Sequence, residues 1–394
     1  MQNTSANKIV LFSKEAGKTS FSSLFTVKKA FSTTKVGHTG TLDSFAEGLL
    51  VVCVGNLTRL AGKITEFDKV YQAVLLFGEE TDTLECSGNV VKNAGLPTEE
   101  ALLSAVKKFT GTYMQTPPSF SAIHVEGKRA SDLVRSGLEV EIPSRSVTVF
   151  SSDIKEIMYE DGECRLFLSS RESLSRDSLS PDSFNQASNQ ALNLSSEKKV
   201  KAALIEFHVS KGTYIRSLAR DIALEASSVC HLIALRRTGV GKFSLNDAAG
   251  FENLSPFTIQ HGFDNANLIK EVQKKEKEEA LKKTERKLEK REKAGNKKPY
   301  EPDLKELSLQ EEIRNKSLDM SPALALECGF DLLTLKKESE DWFSHGGKLS
   351  SKMFTVSPFS LSQEIAAVFS ETEEFKGLLQ KDQNGYFKYS LVIN

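Results

Sequence analysis

The sequence predicts an α+β protein in which a β-sheet carries helices and a smaller, strand-rich domain follows it. Residues 9–150 are dense in apolar segments punctuated by turn glycines. Two runs, KVYQAVLLF (69–77) and VKAALIEFHV (200–209), read as strands, and apolar residues recur at helical spacing near 99–109 and 214–226. A length of 394 residues leaves room for two domains.

In chain order, residues 69–77 are rich in Val, Tyr, Leu and Phe and are closed by Gly78. Their poor alternation predicts a strand buried on both faces. In the helix expected at 99–109, Leu102, Val106 and Phe109 share a face, Thr98 is placed to cap the start and Gly111 lies past the end. Shorter extended segments are expected at 146–150 and 165–168. Residues 169–196, dominated by Ser and Asn, read as an exposed insertion. After the strand 200–209, Tyr214, Leu218, Ile222 and Ala226 recur every fourth position, as one side of a helix requires. Lys and Glu dominate 266–318, where Ile269, Val272, Leu281 and Leu288 are too sparse for a coiled-coil seam, so a solvated helix or linker is expected. Residues 319–394 regain Phe, Leu, Val and the single Trp342, and end in a closing strand, YFKYSLVI (386–393). The division implied is 1–250, a charged linker or helix at 251–318, and a small domain at 319–394.

Composition narrows the function classes. Hydrophobic residues make up 39% and the mean hydropathy is −0.30, and no apolar run approaches the roughly 18 residues that span a bilayer. Neither a signal peptide nor a membrane anchor is indicated, so the expectation is cytoplasmic. The five cysteines are far apart without a Cys-x-x-Cys pair, and they read as buried small hydrophobes in a reducing compartment. No His/Cys cluster has metal-site spacing. The formal charge is −1, yet residues 270–298 hold 13 Lys or Arg against 7 Glu, a local +6 that leaves −7 elsewhere. An RNA partner would therefore have to be met by a local basic face.

Two motifs compete for chemistry. Gly17-Lys18-Thr19 reproduces the tail of a phosphate-binding loop, but the glycine required five residues earlier is Phe12, and the NTPase reading fails there. In KVGHTGTLDSFAEG (35–48), Gly37 and Gly40 flank His38-Thr39 just before Asp43. That spacing suits a tight loop holding a carboxylate beside an imidazole. It suits equally an Asp43 that caps a helix whose first turns are 44–50.

Further pieces stand in order around that loop: Lys14-x-x-Gly17-x-Thr19-Ser20, GHTGTLD (37–43), Lys69-x-Tyr71 before Gly78-x-x-Thr81-Asp82-Thr83, QTPPSFSAIHVEG (115–127), KGTYIRSLARD (211–221) and HLIALRRTGVGKF (231–243). On these six segments, covering about residues 9–250, the chain resembles the bacterial tRNA pseudouridine synthase B family. The resemblance implies the pseudouridine synthase catalytic fold, with a mixed, largely antiparallel central sheet, and a degenerate PUA-like module at 319–394. It implies isomerisation of uridine to pseudouridine in the T-loop (site 55) of tRNA, after the base is flipped out of its stack. The partner would be the T-arm and elbow of tRNA, met by a monomer. Breaking the N1 glycosidic bond, turning the uracil and joining C5 to the ribose involves no redox change and no transferred group, so neither metal nor organic cofactor is expected.

Residue by residue, Asp43 matches the family's essential aspartate, which adds to the sugar or promotes a glycal-type route, and it needs a charge partner nearby. Arg216 matches the arginine paired with that aspartate; without the resemblance it would decorate an exposed helix face. Tyr71 matches the tyrosine that stacks on the target base, close enough to take part in removing the C5 proton, although a phenol is a weak base at neutral pH. Tyr214 would line the same pocket, although spacing alone makes either tyrosine a core residue. His38 would contact the flipped RNA, Arg59 would bind RNA where the family has a Thr-Lys pair, and Leu235 would wall the base pocket. Arg236 and Arg237 suit structural ion pairs or backbone phosphates equally. Departures from the family pattern are Glu15 in place of Pro, His124 in place of Lys and Ser131 in place of Tyr. A non-catalytic tRNA-binding or folding protein, and a synthase acting on another RNA, are the competing readings.

Overall fold

The structure is a computed structural model, and it describes residues 6–121, 123–125, 127–136, 138, 142–167, 198–289 and 303–393. The Ser/Asn-rich insertion at 169–196 lies outside them. Strands β1 (Ile9–Lys14), β2 (Val36–His38), β3 (Glu47–Val54) and β4 (Lys69–Phe77) are followed by a ribbon of β5 (Glu79–Thr81) and β6 (Val90–Asn93). Next come β7 (Gly111–Gln115), the hairpin of β8 (His124–Val125) and β9 (Lys128–Arg129), β10 (Arg145–Tyr159), β11 (Cys164–Leu166), β12 (Val200–Val209), β13 (Cys230–Val240) and β14 (Phe243–Ser244). The main sheet runs β1-β3-β13-β4-β12-β10-β11, with β2 on β3, β7 on β10 and β14 on β13. Among the described strands of this sheet only β3 and β13 pair in parallel, so the sheet is mixed and largely antiparallel.

β4 lacks alternation because it sits between β13 and β12 with both faces covered. Ala73, Val74 and Leu75 are all buried. On one face the cover is helix α6 (Ile259–Glu289), which approaches so closely that a Cβ at Gly262 would lie 2.9 Å from Val74 Cγ1. Ile259, Ala266 and Ile269 enter the main core, and Asn265 Nδ2 donates to Ile233 O at 2.9 Å. The charged region thus begins as a packed helix with one buried side, and from Lys274 to Glu279 every described side chain is exposed.

Among the described residues the remaining α-helices are α1 (Ser20–Ala30), α2 (Ala61–Thr65), α3 (Glu99–Lys108), α4 (Ala130–Arg135), α5 (Ile215–Glu225), α7 (Leu304–Asn315), α8 (Pro322–Glu327) and α9 (Glu340–Ser344). The Gly-Lys-Thr sequence starts α1: Thr19 Oγ1 accepts from Ser22 N at 3.0 Å as an N-cap. Thr98 does the same for α3 by accepting from Ala101 N at 3.2 Å. α7 packs on α1, with Ile313 in one cluster with Leu24, Val27 and Ala30, and Arg314 Nη1 donating to Ala30 O at 3.2 Å.

A separate, PUA-like C-terminal sheet has the order β15 (Asp331–Leu335), β16 (Ile365–Ser370), β17 (Phe375–Lys381) and β18 (Phe387–Val392). Its apolar side is continuous with the core beside the main sheet, because Ile9, Leu49 and Val51 share a core with Leu324, Cys328, Phe330 and Ile365.

The helix considered for residues 44–50 is not formed. Ala46 N donates to Asp43 O at 3.2 Å in a single turn, and β3 begins at Glu47. Its run LLVVCV is buried throughout, and β-branched residues gain more in a sheet interior than in a solvent-facing helix. Gly48 makes the join with β13: its φ is +106°, and a Cβ there would lie 2.4 Å from Arg237 O. Gly48→Ala is therefore expected to lower the unfolding free energy by about 2–3 kcal/mol. An unchanged urea midpoint would show that the β3–β13 join yields freely.

Candidate active site

The loop carrying Asp43 leaves β2 and returns through β3, with Thr39 N donating to Val51 O at 2.9 Å. Three polar side chains hold it. Arg237, buried under the loop, donates from Nη2 to Gly40 O at 3.2 Å and from Nε to Leu49 O at 2.8 Å. Ser20 Oγ accepts from Leu42 N at 2.8 Å and donates to Leu42 O at 2.9 Å, fixing the residue before Asp43. Lys14 Nζ, wholly buried, donates to Ala46 O at 2.5 Å, Lys18 O at 2.6 Å and Glu15 O at 3.1 Å. Burial pulls the Lys14 amine down to about 7, against the opposing pull of Asp43 and Glu47. None of these three holds the Asp43 carboxylate.

That task falls to Arg216, in the first turn of α5. Nη2 donates to Asp43 Oδ1 at 3.2 Å, and Nε lies 3.0 Å from Oδ2, an ionic approach in which the Nε–H has no hydrogen-bond partner among the described residues. The buried guanidinium is fixed in turn by Thr83 O at 3.0 Å from Nη1 and Phe120 O at 3.1 Å from Nη2. The start of α5 is set by Gln115, fully buried, whose Oε1 accepts from Tyr214 N at 2.8 Å and whose Nε2 donates to Tyr214 O at 3.1 Å.

A second carboxylate, unforeseen in the sequence, stands on the other side of Arg216. Glu85 Oε2 lies 3.9 Å from Nη1, and Ser87 Oγ donates to Oε1 at 2.5 Å. Burial pushes the Glu85 carboxyl up to about 7, Arg216 opposes that, and Asp43 adds to it. Its only signal in the sequence was an acid two residues past Thr81-Asp82-Thr83. Because the folded state holds this proton to a higher pH than the unfolded chain, stability falls as pH rises from the ordinary carboxyl value of 4.5 toward about 7. Glu85→Gln, which mimics the neutral form, is expected to remove on the order of 2–3 kcal/mol of that dependence. Urea midpoints at pH 5 and pH 8 check it; equal slopes in both proteins would contradict the assignment.

The floor of the site is the sheet. Tyr71 pairs with Arg237 on one side and Phe207 on the other, and Ala73 pairs with Leu235. Directly opposed residues of antiparallel strands share a face, so half-buried Tyr71 and buried Leu235 lie together in the cluster that includes Leu42 and Phe45. His38 is half-buried, its Nδ1 accepts from Gly40 N at 3.4 Å, and burial followed by Arg237 lowers its pKa, so the ring is neutral at pH 7. The Tyr214 ring is covered by the Arg145 guanidinium at 4.8 Å. Arg59 goes elsewhere: it is exposed, and Nη1 donates to Ser390 O of β18 at 3.1 Å, reaching the C-terminal sheet. Arg236 is consumed structurally, donating from Nε to Glu47 Oε1 at 2.7 Å and from Nη2 to Ser255 O at 2.7 Å. Of the departures from the family pattern, Glu15 pairs with Lys18 at 2.7 Å, and the side chains of His124 and Ser131 lie outside the described residues. Among the described residues there is no group of three or more His, Cys, Asp or Glu that could hold a metal ion.

A family model described as TruB family pseudouridylate synthase (N terminal domain) matches residues 28–171. A tRNA pseudouridine synthase B of Treponema denticola is 45% identical over 252 residues, which cover 64% of this chain and 65% of that protein. One from Borreliella burgdorferi is 40% identical over 254 residues, 64% of this chain and 76% of the relative. The chain therefore spans between about two thirds and three quarters of these two relatives' length. Among solved structures, a chain of a Cbf5-Nop10-Gar1 complex superposes with a TM-score of 0.53 at 17% identity, over 98% of this chain and 84% of that one, which is a likeness of fold.

Proposed function

The chain belongs to the tRNA pseudouridine synthase B family, and from that premise we propose that it isomerises uridine to pseudouridine in the T-loop of tRNA, with Asp43 as the essential carboxylate. The observation that carries this reading is the Asp43–Arg216 pair. A half-exposed carboxylate, held at both oxygens by a buried guanidinium at 3.0 and 3.2 Å, is oriented for attack and open to a nucleotide. The reaction breaks the bond from N1 to the ribose, turns the uracil and forms the bond from C5 to the same ribose carbon; the C5 hydrogen leaves as a proton and N1 takes one up. The isomerisation neither gains nor loses atoms of the substrate, so the chain's own side chains supply orientation, charge and one proton transfer.

Tyr71 stacks on the extruded base and Leu235 walls the pocket beside it, since both occupy the sheet face under Leu42. Neutral His38, at the rim of the loop, offers a hydrogen bond to the displaced RNA without acting as an acid. Arg59 is best placed to couple RNA binding to the C-terminal sheet through Ser390. The T-arm and elbow of tRNA are the partner, and a cytoplasmic monomer that needs no metal is the working state. Purified protein and an unmodified tRNA transcript are expected to give one pseudouridine, in the T-loop. Mapping whole RNA with and without the protein sets the alternative: product confined to messenger or ribosomal RNA overturns the tRNA assignment.

A further inference from the structure

We propose that α6 braces the catalytic loop and that Asn265 is a positioning residue for Asp43; this rests on the function proposed above. The helix lies past all six segments that carry the family resemblance, the last of which ends at Phe243. His261, Asn265, Ile269, Val272 and Gln273 are spaced by three or four residues and so share one side of it. That side follows the loop. His261 Nε2 lies 3.1 Å from Glu47 Oε1, where β3 begins. One turn on, Asn265 Nδ2 donates to Phe45 O at 3.4 Å, two residues past Asp43, and to Ile233 O at 2.9 Å. Ile269 and Val272 then close over Gly17, where a Cβ would meet Val272 Cγ2 at 3.6 Å, and Gly17 N donates to Ser44 O at 2.8 Å. Gln273 Nε2 donates to Ser87 O at 3.3 Å, in the residue whose hydroxyl binds Glu85. One helix thus backs the neighbours of both carboxylates that flank Arg216.

Asn265 is the member of this side whose chemistry packing does not explain. It is 5% exposed, and its Oδ1 has no hydrogen-bond partner among the described residues. A buried carbonyl left without a donor costs stability, so packing alone favours an apolar residue here. What the amide supplies is two donors. Ile233 is the extra residue where the register of β13 on β4 jumps from Leu232 to Ala234, and Phe45 stands outside every strand, so neither is paired in a sheet. Arg237, Ser20 and Lys14 hold the loop at Gly40, Leu42 and Ala46, and Asn265 adds the tie at Phe45. Its second bond fixes that tie to β13, the strand that also carries Leu235. The Asp43 loop and the wall of the base pocket are therefore held to each other by one buried side chain, and their separation is what sets carboxylate against nucleotide.

The test separates rate from stability. Asn265→Leu removes two hydrogen bonds, but it also removes the orphaned Oδ1 and buries apolar surface, so its urea midpoint is expected to change little. Its single-turnover rate on saturating unmodified tRNA transcript is expected to fall about 10-fold or more, with Kd within about twofold of the unaltered protein's. Amide hydrogen exchange across residues 40–46 is expected to quicken about 10-fold, with β4 and β12 unchanged. Asn265→Ala, which needs no added room, is expected to give the same losses and keeps the test open if leucine does not fit. Val368→Ala, in the core of the C-terminal sheet, costs stability away from the loop and is expected to leave rate and loop exchange as they are. Unchanged rate and unchanged loop exchange in the Asn265 variants overturn the brace. So does a loss of rate that Val368→Ala reproduces at an equal midpoint, which would mark Asn265 as merely structural. If the unaltered protein makes no pseudouridine, the catalytic reading fails, and loop exchange still judges the brace.

Discussion

Asp43→Asn lowers the single-turnover rate of pseudouridine formation by about 10⁴-fold or more, while tRNA binding and the melting curve stay close to those of the unaltered protein. The expectation follows from how the loop is built. Arg237, Ser20 and Lys14 hold the backbone at Gly40, Leu42 and Ala46, and none of them uses the Asp43 carboxylate. Asparagine keeps the shape and one oxygen for Arg216 Nη2, but it has no negative charge and no lone pair able to attack a sugar carbon. One further change is expected. Asp43 is among the causes that raise the Glu85 carboxyl, so without it Glu85 ionises at lower pH and engages Arg216 more strongly. Mass spectrometry of the reacted transcript gives the rate. Product at the normal rate would show that the carboxylate is a structural cap and that the chemistry lies elsewhere.

How much of this was legible in the sequence differs from element to element. β4 and β12 stand at the residues expected, because a long apolar run bounded by Gly or Lys has few other homes than the middle of a sheet. α3 was legible through its cap and its periodic face. The Asp43 loop was ambiguous from spacing alone, and the reason is physical: a glycine-rich turn before an acidic residue is the same local signal whether a helix or a strand follows. The tertiary demand for an interior strand beside β1 and β13 decided it. Glu85, Gln115 and Lys14 acquire their roles from partners brought in by folding, so no local pattern marks them. Arg59 is the extreme case, since its acceptor Ser390 is 331 residues away. α6 reads as solvent-facing by composition because its buried positions, Ile259, Ala266 and Ile269, precede or only just enter the charged run.

Arg216 carries the second large effect, on stability and rate together. Its guanidinium is buried between two carboxylates, those of Asp43 and Glu85, and it also satisfies the carbonyls of Thr83 and Phe120. Arg216→Met removes the only cation contacting both acids among the described residues, leaving two carbonyls without a donor and a buried acid without a counter-charge. Destabilisation of about 3–5 kcal/mol is expected, as for other broken buried pairs. Arg216→Lys keeps the charge but not the fork: one ammonium cannot span Asp43, Thr83 O and Phe120 O, so stability recovers in part and the rate remains reduced by about 10²-fold or more. The two contributions separate in a double-mutant cycle. If Glu85 is the source of much of the instability, Glu85→Gln added to Arg216→Met restores about 1–3 kcal/mol, because the buried acid that lost its partner is gone. It does not restore activity, because Asp43 is still without the arginine that aims it. Additive losses in urea unfolding would place Glu85 outside the Arg216 network, and recovery of activity in the double variant would show that Arg216 serves only to neutralise Glu85.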